Sequence, residues 1–467
     1  MHSKINSLTL LSLLSLSLAA PAPVPVPLPQ DVTPIQERQL ISGLFNGLNG
    51  LLSDVNSAVA AGNPSALLSA LGDIKPIARP TDIPNALAEE SAIWASEART
   101  DFFGAVATQV ANGLILDNTF SAALTGALPA GENSVINNNL PPAMTIYPKK
   151  ASIDAPYTLS EAALRQALFI PPGFTYGKKN PVLFVPGTGA YGGSNFGPNL
   201  RKLLTGKDYA DPVWLNIPNA MLGDAQTNSE YIAYAIHYLS SISQQKKISI
   251  IAWSQGSLDT QWVLKFWPST RIIIRSFLAI SPDFKGTVLA NALCLSPNTK
   301  LALNPLCPAS VIQQEATSKF IAAMRSNDGS SAYVPTTTFY SALFDEIVQP
   351  QSGPNASAFL SDVRGVGVSN NEVQSVCAGQ PGSGFYDHAG VLFHPLTWAL
   401  VVDALMYGGV GKLERINVKE VCGRLVAPGL DLDDVLATLG LIPVAAVLLA
   451  ASQERRITEP ALRKYAV

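Results

Sequence analysis

The residues best placed for chemistry surround Ser254. The stretch Lys247–Pro268 reads KISIIAWSQGSLDTQWVLKFWP. Ile248, Ile250 and Ile251 are β-branched and apolar, as a strand buried on both faces requires. Leu258, Trp262, Val263 and Phe266 then recur at helical spacing until Pro268 ends the run. Ser254 stands at the junction, with Ala252 two positions before it and Gly256 two after. That arrangement predicts a nucleophile elbow, a tight strand-to-helix turn that presents a hydroxyl and leaves little room for larger neighbours. A serine hydroxyl attacks a carbonyl only when a base lies within hydrogen-bond reach. His237 sits among Tyr234, Ile236 and Tyr238 on an apolar helix, where a packed structural histidine is expected. His388 lies in the small-residue loop Tyr386-Asp387-His388-Ala389-Gly390, and His394 follows the core-like run Val391-Leu392-Phe393. His388 is the expected base.

The elements that must hold these groups alternate between strand and helix. Val182–Val185, Trp214–Ile217, the strand before Ser254, Ile272–Ile280 and Thr336–Leu343 read as strands, and Asn228–Ile242 as a helix. The alternation predicts an α/β fold with a mostly parallel, doubly wound sheet, the α/β-hydrolase arrangement, whose sites lie beyond the carboxyl ends of the strands. That fold orders its triad as nucleophile, acid, histidine. His237 is thereby excluded, and an acid is needed at a strand end between Ser254 and His388. Asp283 and Asp345 both qualify. The later strand favours Asp345, which leaves Asp283 to line the pocket or cap a helix. Asp387 neighbours His388 in sequence and is poorly placed to orient it. Pro186-Gly187-Thr188-Gly189, after the first strand, suits an oxyanion hole, with the Thr188 hydroxyl and the Gln255 N–H as donors.

The chain before residue 150 carries different signals. In residues 1–20, Lys4 precedes an apolar run too short to span a bilayer, and Ala19-Ala20 offers a cleavage site: a secretory signal peptide. Residues 21–34, with six prolines, read as a linker. A helix is expected from Leu40 through Val59, with further helical stretches around Ser65–Ile74 and Ala86–Leu116. Residues 35–150 hold no cysteine, no histidine and no polar cluster suggestive of chemistry, and read as a helical accessory region or pro-segment. Asn355-Ala356-Ser357 is a glycosylation sequon suited to a secreted chain. With 467 residues and 47% hydrophobic content, a large core can form. A net charge of −3 supplies no basic field, so nucleic-acid binding is not expected. Val435–Gln453 is apolar enough to suggest a membrane span, but Gly440 and Pro443 interrupt it, and a place in the core is expected, with membrane anchoring the lesser alternative.

Together these segments resemble the secreted fungal lipase B family of the Candida antarctica type. The resemblance is carried by Val185–Gly189, Trp253–Gly256, Ser281–Thr287, Asp345–Pro350 and Asp387–Gly390, in that order across about residues 155–425. It implies Ser254 as nucleophile, Asp345 as acid, His388 as base, and oxyanion donors at Thr188 and Gln255. It also implies Trp253, Asp283 and Gln314 along the pocket, a hydrolase domain over 151–467, a small or absent lid, and neither a metal nor an organic cofactor. A Cys377–Cys422 disulfide bracing the His388 loop is implied too. Cys294 and Cys307 lie in an insertion after Thr287 that departs from the family, and they are expected to pair locally, where the insertion could cover the pocket mouth.

The expected activity is that of a secreted, extracellular serine hydrolase cleaving carboxylic esters, acylglycerols foremost, as a monomer in transient contact with a lipid interface. Two rivals differ in class. One uses the same triad as a small-ester carboxylesterase, transacylase or amidase. The other is a non-catalytic lipid-binding module, against which the intact triad argues.

Overall fold

A sheet of parallel strands, each ending near the same edge, is the frame on which the candidate site is built. The computed structural model describes residues 50, 52–96, 101–295, 307–342 and 344–467. The expected signal peptide, the Pro-rich linker, the first turns of the helix from Leu40 and most of the segment between Cys294 and Cys307 lie outside the described residues. In chain order the strands are β1 (Leu168–Phe169), β2 (Pro181–Val185), β3 (Asp211–Leu215), β4 (Ile248–Trp253), β5 (Ile274–Ile280), β6 (Cys307–Pro308), β7 (Thr336–Tyr340), β8 (Val368–Glu372) and β9 (Arg455–Arg456). Seven of them form one sheet in the order β1-β3-β2-β4-β5-β7-β8, while β6 pairs separately with β9. Only β1, at the edge, runs antiparallel to its neighbour in that sheet. This is the α/β-hydrolase architecture expected from the sequence.

The core explains why β4 is central. Every residue of β4 is buried, and its side chains alternate between two cores, as the twofold period of a strand dictates. Ile248, Ile250 and Ala252 pack with Ile232, Ile236, Leu258 and Trp262 from the helices Ala225–Ile242 and Gln255–Phe266. Ile251 and Trp253 face the other core, with Leu400 and Val401 from the helix Pro395–Tyr407. Each such isoleucine contributes about 1.5–3 kcal/mol by burial. The register aligns Val185 with Ala252 and Ala252 with Ala279. The loops after β2, β4 and β5 therefore emerge side by side.

Several boundaries differ from the sequence reading, each for a local reason. The helix expected from Asn228 begins at Ala225, because the Asp224 side chain accepts from the Gln226 N–H and caps it there. The strand expected from Ile272 begins at Ile274, since Pro268–Ile273 wind as a 3-10 turn. The stretch Ala86–Leu116 contains two helices, Ile83–Ser96 and Phe102–Ala111, the second capped by Asp101, which accepts from the Gly104 N–H at 3.0 Å. β8 escaped notice because Val368-Ser369-Asn370-Asn371-Glu372 is a polar edge strand without an apolar signature.

The helices before residue 150 pack against the end of the chain. Leu441–Ala451 lies against Pro64–Asp73, Phe102–Ala111 and Asp117–Leu124. The apolar stretch Leu432–Ala451 meets the length and hydropathy of a membrane span, but it is two helices broken at Gly440 and is mostly buried. All described residues belong to one compact unit, Asn46–Val467.

Candidate active site

Ser254 sits between β4 and the helix Gln255–Phe266 with φ 53° and ψ −131°. A side-chain-bearing residue rarely occupies that region, and the surrounding structure must hold it there. Its own N–H donates to Ile280 O at 2.9 Å, tying the turn to β5. The small neighbours are required by close approach. A Cβ on Gly256 would stand 2.4 Å from Pro186 O and 2.6 Å from Val185 O, and one on Gly187 would stand 2.6 Å from the Trp253 ring. Gly256→Ala is accordingly expected to destabilise the fold by about 1–3 kcal/mol. The measurement is a urea midpoint by circular dichroism, and an unshifted midpoint would show that the elbow has slack.

One cavity gathers Ser254, His388, Thr188, Trp253 and Gln314. It encloses about 590 Å³ of empty space, open mouth included. Its walls are apolar, with Leu289, Leu293, Val311, Ile442 and Leu449 among them. Asp345 stands behind His388 rather than at the surface of the cavity. Both Asp345 carboxylate oxygens lie 3.0 Å from His388 Nδ1, and both side chains are buried. The N–H groups of Ile347 and Val348 also donate to Asp345 Oδ1, at 3.1 and 2.7 Å, so the carboxylate is held by its own loop as well as by the imidazole. The His388 backbone is fixed on both sides. Its N–H donates to Glu346 Oε2 at 2.8 Å, and its carbonyl accepts from Trp253 Nε1 and Ser281 Oγ, both at 3.1 Å. His388 Nε2 has no hydrogen-bond partner among the described residues. The Ser254 hydroxyl is thus in the same cavity but not bonded to it, a looseness common in sites without substrate.

The candidate oxyanion donors are linked to each other. Thr188 Oγ1 donates to Gln255 Oε1 at 2.7 Å, and Gln314 Nε2 donates to the same oxygen at 3.1 Å. Gln255 Nε2 in turn donates to Met221 O and Asp259 Oδ2. As first residue of its helix, Gln255 has a backbone N–H without an intrahelical acceptor. The Gln255 side chain is fully buried and does not line the cavity. Nor does Asp283. It is completely buried, neither of its oxygens receives a donor from the described residues, and burial, aided by the Asp345 charge, pushes its carboxyl up to about 7.

Among the described residues the other two histidines, His237 and His394, are structural in their contacts. His237 Nε2 lies 2.9 Å from Ser269 Oγ, and burial pushes its imidazole down to about 4. His394 accepts the Leu396 N–H at Nδ1 and so donates from Nε2 to Gly382 O at 2.8 Å; burial lowers it to about 4 as well. Both expected disulfides are present. Cys377–Cys422 spans the His388 loop in sequence, with Gly382 packed against it, and Cys294–Cys307 tethers the helix Val288–Leu295, whose Leu289 and Leu293 form cavity wall.

Two functional neighbours went unremarked in the sequence. Phe102 lines the cavity although it belongs to the helices before residue 150. Its run Phe102-Phe103-Gly104-Ala105-Val106 signals burial but not what it is buried against. Glu346 lies close behind His388, whose N–H it accepts, and it shares the Asp345 loop.

No protein-family model matches the chain. It is 36% identical over 290 residues to lipase B from Pseudozyma antarctica, a match spanning 61% of this chain and 79% of that protein. The crystal structure of Aspergillus fumigatus lipase B is 44% identical and superposes with a TM-score of 0.79, covering 89% of this chain and 100% of its own. Residues 151–467 alone are too few to supply that 89%, so the likeness extends into the helices before residue 150.

Proposed function

The chain belongs to the lipase B family of α/β-hydrolases, and from that premise we propose that this carboxylic ester hydrolase is a secreted lipase acting on acylglycerols through a serine acyl-enzyme. The observation that carries the reading is the apolar cavity with Ser254 and His388 at its polar end and Asp345 bonded behind His388. Ser254 Oγ attacks the ester carbonyl carbon and passes its proton to His388 Nε2, while Asp345 keeps the Nδ1–H tautomer and balances the imidazolium. The negative oxygen of the tetrahedral intermediate is received by the Gln255 N–H and by the Thr188 hydroxyl, which turns from Gln255 Oε1 to do so. The alcohol leaves with the proton from His388, and a water activated by the same imidazole then releases the acid.

Walls of leucine, valine and isoleucine favour an acyl chain over a peptide, whose amides would lose hydrogen bonds there. Val288 is exposed beside the wall residue Leu289, which suits brief contact with a lipid surface by the monomer. Secretion is supported by two disulfides, which persist in oxidising compartments, and by an exposed sequon asparagine, Asn355. The test is hydrolysis of p-nitrophenyl acetate, butyrate and palmitate, with fluorophosphonate labelling mapped by mass spectrometry. Labelling at Ser254 with turnover of the long ester is expected. Turnover confined to acetate would assign a small-ester esterase, and an unlabelled Ser254 would remove the mechanism.

A further inference from the structure

Gln255 carries a candidate oxyanion donor on its backbone, and its side chain is the hub of a buried hydrogen-bond network. Oε1 accepts from Thr188 Oγ1 at 2.7 Å and from Gln314 Nε2 at 3.1 Å. Nε2 donates to Met221 O at 3.1 Å and to Asp259 Oδ2 at 3.2 Å. Two hydrogens given and two accepted are all that an amide group can manage. The four partners also fix which atom is oxygen, since a reversed amide would set Oε1 against Met221 O and Nε2 against Gln314 Nε2. Met221 O comes from a turn of three successive left-handed residues, Asn219, Ala220 and Met221, with φ 58°, 49° and 66°. Ala220 O of the same turn accepts the Gly189 N–H at 2.9 Å. One turn thus braces both the Thr188 loop and the Gln255 side chain.

Asp259 is the member of this network to which the mechanism gives no task. It lies one turn beyond Gln255 on the helix Gln255–Phe266 and is completely buried. Gln255 is its one side-chain partner among the described residues, and Oδ1 receives no donor from them. Burial holds the carboxyl well above the ordinary carboxylate range against the opposing Gln255 bond, with the Asp283 and Asp224 charges adding. A carboxyl so placed costs stability, because one hydrogen bond does not offset its desolvation and an apolar side chain of similar shape would pack there at less cost. What it supplies is the second acceptor for the Gln255 NH2.

We propose that Asp259 is a positioning residue of the oxyanion site: its Oδ2 pins the Gln255 amide with Oε1 towards Thr188, and so sets where the Thr188 hydroxyl stands when the substrate carbonyl becomes an oxyanion. This role presupposes Thr188 and Gln255 as the oxyanion donors of the proposed function. Asp259 itself does not line the cavity. Without it, one hydrogen of the Gln255 NH2 is buried with no acceptor, and the amide is held at three points instead of four. Oε1 then swings from Thr188 Oγ1, and the hydroxyl loses the partner that fixes it. An oxyanion donor works by standing in place before charge develops. Its displacement therefore lowers kcat while leaving binding of the uncharged ester in the apolar cavity unchanged.

The test uses the full chain and four variants. Asp259→Leu removes the acceptor with little change of shape, Asp259→Ala removes it without overpacking, and Asp259→Asn keeps it by turning Oδ1 towards Gln255 Nε2. On p-nitrophenyl butyrate the leucine and alanine variants should each lose about tenfold in kcat, with KM within about twofold of wild type. Butylboronic acid, which adds to Ser254 as a tetrahedral mimic with an oxygen in the oxyanion site, should lose affinity for them by about the same factor. Asp259→Asn should restore both quantities to within about twofold. The melting temperature of Asp259→Leu should equal or exceed that of wild type, the opposite of what a merely structural residue would show. Thr188→Val alone should cost roughly 100-fold in kcat, and adding Asp259→Leu to it should cost no more than about twofold further, since the residue acts through that hydroxyl. Wild-type kcat in the leucine or alanine variant, an asparagine variant as slow as they are, or a full tenfold loss on top of Thr188→Val would each overturn the proposal. An undiminished kcat in Thr188→Val would remove the oxyanion reading beneath it, and the proposal with it.

Discussion

Ser254→Ala is expected to lower kcat for p-nitrophenyl butyrate by roughly 10⁵-fold, because the acyl-enzyme route disappears and only binding and the oxyanion donors remain. The melting temperature should hardly move. Alanine occupies the same φ 53°, ψ −131° conformation as serine, at the same strain. Ser254→Gly separates chemistry from strain. It lacks the nucleophile equally, but glycine takes that conformation freely, and its fold should be more stable than wild type by about 1–3 kcal/mol. Residual turnover near wild type in either variant would place the nucleophile elsewhere. A glycine variant no more stable than the alanine one would mean that the elbow holds little strain.

Asp345→Asn should cost roughly 10⁴-fold in kcat while leaving KM nearly unchanged. The Ile347 and Val348 N–H groups anchor Oδ1, so the amide NH2 would face His388 Nδ1 and force the ring proton onto Nε2, where it opposes Ser254. Asp283→Asn is the informative companion, since both acids follow strands and the sequence leaves both in contention. Asp283 makes no hydrogen bond to the imidazole in the structure, and its substitution should cost less than about tenfold, through the polarity behind the cavity alone. Equal losses from the two variants would undo the assignment of Asp345.

The chemistry was legible in the sequence because it depends on short-range geometry. An elbow needs small residues at fixed offsets from Ser254, and Ala252 and Gly256 stand there; the requirement appears as the 2.4 Å approach of Pro186 O to a Cβ on Gly256. The central strands were legible because burial on both faces demands unbroken apolar runs such as Ile248–Trp253. β8 was not, since a polar edge strand satisfies its backbone by pairing and leaves no hydrophobic mark. Phe102 was illegible for a different reason. Its meaning comes from the cavity it meets, about one hundred and fifty residues before Ser254, and no periodicity records a tertiary partner.

Phe102 puts one face of the cavity wall on a piece of chain encoded apart from the reacting atoms. Substitutions in the helices before residue 150 can reshape the acyl channel without touching an atom that moves a proton. Directed evolution confined to residues 151–467 would reach most of the cavity wall but leave its Phe102 face untouched.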